Sequence, residues 1–103
     1  MTHEPMSFRK FLQDYAPPHR GYSVYARTRD VSLDTPVLFL ERDMYSSEIP
    51  VGARALGFQQ AFTDELLGDV VLNARQQRPS ASLDEIMVAL NYSLEFDAFI
   101  RWE

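Results

Sequence analysis

The chain has 103 residues, 46% of them hydrophobic and 24% charged, and 10 Lys and Arg against 15 Asp and Glu leave a net charge of −5. That apolar content excludes a disordered chain, and the length suits one core, so a single domain over residues 1–103 is expected. The absence of cysteine excludes disulfides, thiolate metal sites and cysteine nucleophiles; no apolar run approaches the roughly 20 residues of a membrane span, and Met1-Thr2-His3-Glu4-Pro5 is not a signal peptide, so a cytoplasmic location is expected.

Ser7 predicts a helix N-cap, its hydroxyl taking one of the backbone N–H groups left over in a first turn. Phe8, Phe11, Leu12 and Tyr15 then recur on one helical face, Met6 and Phe11 have the spacing of a hydrophobic staple, and Pro17-Pro18 stops the run. The spacing predicts a helix over about 8–16. The stretch Ser7-Phe8-Arg9-Lys10-Phe11-Leu12-Gln13-Asp14-Tyr15 resembles the opening of small bacterial SAM-like helical domains, although the rest of the chain does not follow their pattern.

Residues 22–29 alternate as a strand would, and Pro36-Val37-Leu38-Phe39-Leu40 suits a buried strand. A hairpin of the two would set Arg27 and Arg29 opposite Glu41 and Asp43. The competing reading makes Thr35 an N-cap and Pro36 the first residue of a short helix. Ser46 to Pro50 reads as a loop. From Ala53 to Gln77 the period is helical, with Phe58, Phe62, Leu66, Val70 and Ala74 at four-residue steps. Gly68 lies within that stripe, and two interpretations follow: one helix closely packed at the glycine, which is preferred, or two helices with Thr63 capping the second.

Ser82 and Glu85 have the spacing of a reciprocal capping box, with Asp84 adding charge suited to the positive helix end. Leu83, Ile86, Met87, Leu90 and Leu94 form one stripe; Tyr92, Phe96, Phe99 and Ile100 form another. A straight helix would be apolar on two sides, so a break near Asn91-Tyr92-Ser93 is expected, the alternative being that one stripe is a partner surface. The fold class is therefore α+β, a helix-rich single domain with a short β-hairpin around 22–42; the alternative is a small all-α bundle.

The chemistry-bearing motifs are sparse. There is no G-x-S-x-G, no Gly-rich phosphate loop and no H-E-x-x-H, and His3 and His19 read as surface imidazoles rather than a base or metal ligand. Asp64, Glu65 and Asp69 read as a solvated helix face rather than a cation site. No metal or cofactor is expected. Charge is uneven: residues 1–30 carry +2 and residues 31–103 carry −7. An acidic chain disfavours nucleic acid, whose affinity comes chiefly from basic patches; the exception weighed is the Arg20, Arg27, Arg29, Tyr22 and Tyr25 strip.

The C-terminal stretch interleaves acids with rings, and Asp84, Glu85, Tyr92, Glu95, Phe96, Asp97, Phe99 and Trp102 are the candidate partner-binding residues. Aromatic anchors beside charged rims are what protein interfaces use. The expectation is a small acidic non-enzymatic protein-binding module, an adaptor or inhibitor of a basic or nucleic-acid-handling partner. In size and charge it is like phage or plasmid accessory factors. The alternatives are a homo-oligomeric structural protein, including a homodimer, and a subunit of an enzyme complex.

Overall fold

The computed structural model describes residues 4–16, 21–42 and 49–102. In chain order they form β1 (Met6–Ser7), α1 (Phe8–Gln13), β2 (Tyr22–Ala26), β3 (Pro36–Glu41), α2 (Val51–Arg54), β4 (Gln59–Thr63), α3 (Asp64–Gln77) and α4 (Leu83–Phe96). The strands build one sheet in the order β1-β3-β2-β4, every pairing antiparallel. The fold is α+β. The sheet rules out the all-α bundle and departs from the SAM-like helical resemblance of the opening residues.

Strand passes to helix without a linker at two points. Ser7 ends β1 and accepts the Lys10 N–H as the cap of α1; Thr63 ends β4 and accepts the Leu66 N–H as the cap of α3. The next orphan donors of α1 are taken by the hairpin loop, through Phe8 N–H to Thr35 O at 2.9 Å and Arg9 N–H to Leu33 O at 2.8 Å. Six residues are too few for an isolated helix, so α1 stands on the burial of Phe8 and Leu12. It ends at Gln13, short of the expected residue 16, and the Asp14 and Tyr15 N–H groups both turn back to Leu12 O. Ala16 precedes a proline, which disfavours helical backbone there.

The hairpin is present, with its own register. Tyr22 faces Glu41 and Tyr25 faces Leu38, so Arg27 lies at the opposite end of the ladder from Glu41. The expected pairing of Arg27 and Arg29 with Glu41 therefore does not occur; Asp43 is outside the described residues, as are Pro17, Pro18, His19, Arg20 and Ser46 to Glu48. Thr35 closes the turn instead of capping a helix, its hydroxyl accepting the Ser32 N–H at 2.9 Å. Pro36 opens β3, a position where a missing N–H costs little.

The long helix expected over 53–77 is three elements, the last of them capped by Thr63 as in the two-helix alternative. Residues 51–54 make one helical turn, Gly57 reverses the chain at φ +72°, and Gln59–Thr63 pair with β2. The four-residue spacing of Phe58 and Phe62 is coincidental, since the two rings fall in different cores. Phe62 joins Phe8, Leu12, Val24, Val37, Leu67, Val71, Ile86 and Leu90 under α1, α3 and α4. Phe58 joins Tyr25, Leu38, Leu40 and Ala53 on the other face of the sheet. Gly68 is buried in α3, and α4 runs unbroken from Leu83 to Phe96, without the expected break at 91–93.

Candidate partner-binding surface

The site is built on α4. At its start Ser82 Oγ accepts the Glu85 N–H and the Glu85 carboxylate accepts the Ser82 N–H, both at 3.1 Å, completing the capping box. These bonds, with the Arg78 guanidinium beside it, hold the Glu85 carboxyl below the usual carboxylate range. Ile86, Met87, Ala89, Leu90 and Ser93 face the core. Leu94, Glu95 and Phe96 are exposed. Asp97 ends the helix in the left-handed region, φ 52° and ψ 41°, and its N–H bonds to Ser93 O.

Beyond Asp97 the chain turns back along α4. Gln77 Nε2 donates to Ile100 O at 2.7 Å, Trp102 N–H donates to Gln77 Oε1 at 2.9 Å, and the Arg78 guanidinium lies 4.7 Å over the Trp102 ring. Arg78 also pairs with Glu85. The eight residues singled out from sequence therefore separate. Asp84 is exposed at the start of α4; Glu85 and Trp102 meet Arg78 there and are committed to contacts within the chain. Tyr92, Glu95, Phe96 and Asp97 lie toward the other end of the 14-residue helix, and Phe99 follows on the returning segment, lining one hollow with Tyr92.

At that end Phe96 is 58% exposed, Phe99 48% and Leu94 43%. Tyr92 supports Phe96 with ring centroids 4.7 Å apart. Glu95 and Asp97 flank the rings and have no ion-pair partner among the described residues. Hollows lie to either side: one of about 720 Å³ lined by Asn73, Gln77, Tyr92 and residues 98–101, and one of about 550 Å³ between the 29–32 turn and Asn91, Leu94 and Glu95. Leu94 and the 29–32 turn escape the sequence reading. Leu94 falls in step with the core stripe, yet it is 43% exposed.

The other polar clusters are structural. Asp64, Glu65 and Asp69 do not form one acidic face. Asp64 is buried and accepts the Tyr15 hydroxyl at 2.5 Å, while Asp69 is exposed. Glu65 takes both Arg42 nitrogens at 3.2 Å, which lowers its carboxyl below the ordinary range. Arg42 also donates to Ser23 Oγ, and Ser23 to Gln60, tying β2 to β4. Burial and the neighbouring Asp64 push the Tyr15 phenol well up. Arg27 and Arg29 are exposed beyond β2, while His3, His19 and Arg20 lie outside the described residues. Among the described residues no three acidic or imidazole side chains gather to hold a metal, and no helix is long and apolar enough to cross a membrane.

A family model for a domain of unknown function (DUF7716) matches residues 5–102. The chain belongs to the DUF7716 family. No curated protein and no solved structure matches it. The matched span of this DUF7716 chain takes in every element of the fold, the Phe96 end of α4 and the returning segment.

Proposed function

We propose that this DUF7716 chain is a non-enzymatic protein-binding module, an adaptor or inhibitor that docks a basic partner on the C-terminal end of α4. The observation that carries the reading is the exposure of Phe96 and Phe99 beside Leu94, fringed by Glu95 and Asp97. Large rings in water cost free energy that a partner's apolar pocket recovers, and a few such anchors dominate interface energetics. The acidic fringe sets the sign of the partner's rim, and its contribution to association falls as salt rises. A non-catalytic role is supported by where the ionisable groups go: Asp64, Glu65 and Glu85 each secure two parts of the fold to one another. A cytoplasmic setting belongs to the same proposal.

The test is affinity capture from the native host with wild type and a Phe96→Ala/Phe99→Ala variant. The expected result is loss of a basic protein with the variant, while its circular dichroism and melting stay close to wild type. Equal retention by two folded chains would remove the surface from consideration. A homo-oligomer would use the same rings, and light scattering on the isolated chain separates the two readings.

A further inference from the structure

The segment after α4 is bound as an extended peptide would be. Along an extended chain the C=O of one residue and the N–H two residues on point to the same side. Ile100 O and Trp102 N–H are such a pair, and both are met by the amide of Gln77, which acts as a neighbouring strand's peptide group would. Gln77 is itself oriented by Asn73, whose Oδ1 accepts from Nε2 at 2.7 Å. Side chains alternate accordingly. Ile100 and Trp102 turn inward against the main core, whereas Phe99 and Arg101 are exposed. Arg78, held by Glu85, closes over the Trp102 ring.

Two further features bear on how firmly the segment is held. Its hinge is Asp97, the one non-glycine residue at positive φ among those described. Asp tolerates that region better than most residues, yet the conformation still costs more than the helical one. The segment also spans, rather than fills, the side of the α3–α4 seam, for the hollow of about 720 Å³ lies between residues 98–101 and Asn73, Gln77 and Tyr92. It is a strap fixed at Gln77 and Arg78.

We propose that the α3–α4 seam is an extended-peptide site, bridged in cis by residues 98–102 and exchangeable in trans for the same segment of a second copy. The occupant is argued from the contacts themselves. Gln77, Arg78 and the core edge already complement Ile-Arg-Trp, so a second copy's strap would make identical bonds, and opening the Asp97 hinge frees it to do so. Exchange of an identical element is a low-cost route to a dimer. Two chains of net charge −5 repel, so the exchanged dimer is favoured by salt. This inference does not depend on the Phe96 and Phe99 surface.

Trp102 is the chain's single tryptophan, which makes the test direct. Full-length Gln77→Ala keeps an intact strap on a damaged seam; full-length Ile100→Ala/Trp102→Ala keeps an intact seam and carries no tryptophan. Trp102 emission from the first chain alone is expected to be red-shifted from wild type. Titrating in the second should return it to the wild-type wavelength in a saturable way, with a heterodimer mass by light scattering. A tryptophan-free chain that also carries Gln77→Ala should leave the emission unchanged. The proposal is overturned if emission stays red-shifted at millimolar concentrations of the second chain, or if the doubly damaged chain restores it equally. Should Gln77→Ala not fold, Gln77→Met retains the side chain's length without its amide and replaces it.

Discussion

Replacing Tyr15 with Phe removes one hydroxyl and leaves the ring, which keeps its neighbours Phe11 at 5.3 Å and Phe39 at 6.3 Å. What is lost is the 2.5 Å bond to Asp64, a carboxylate 2% exposed at the first position of α3. Hydrogen bonds to charged groups contribute about 1.5–3 kcal/mol, and here the acceptor stays buried after this one donor has gone. Tyr15→Phe is therefore expected to cost about 2 kcal/mol, which lowers the melting temperature of a domain this size by roughly 10 °C. The pH dependence has a definite sign. Folding raises the phenol's pKa, through burial first and the Asp64 bond second. The unfolded chain ionises Tyr15 near pH 10, so this contribution is complete below about pH 10 and is lost as pH climbs above it. Urea titrations at pH 7 and across pH 9–11 check both points. A variant within about 0.5 kcal/mol of wild type at neutral pH, with an unchanged alkaline limb, would refute the reasoning. Some alkaline dependence should persist, because burial also raises the Tyr25 phenol.

Two further substitutions test the local chemistry of the fold. Ser82→Ala removes the hydroxyl that accepts the Glu85 N–H, and urea titration should show a loss of about 1 kcal/mol. Gly57→Ala has open space for its methyl but must hold φ +72°, so a loss of about 1 kcal/mol is expected from backbone conformation alone and is read from the melting temperature.

The elements legible in the sequence are those fixed by neighbours along the chain. Ser7 and the Ser82–Glu85 box announce their helices because a cap reaches only two or three residues; Thr63 marks the start of α3 only in the two-helix alternative. The hairpin shows through its alternation. What stayed hidden depends on partners far along the chain. Phe62 pairs with Val24 across the sheet, and nothing within Gln59–Thr63 distinguishes that edge strand from the start of the helix whose apolar spacing it continues. Tyr15 and Asp64 are 49 residues apart, so a buried acid looked like one of an exposed acidic group. At the candidate site, the surplus of rings at the end of α4 was visible as a second stripe. The withdrawal of Trp102 from it was not, because that turns on the amide of Gln77, 25 residues earlier.

The absence of any spacer where β1 becomes α1 and β4 becomes α3 has a consequence for how this fold can vary. One residue inserted between Thr63 and Asp64 would turn α3 by about 100° about its axis, swinging Leu67, Val70, Val71 and Ala74 out of the interior and separating the hydroxyl from the amide it serves. Length changes among related chains should therefore avoid both seamless joints.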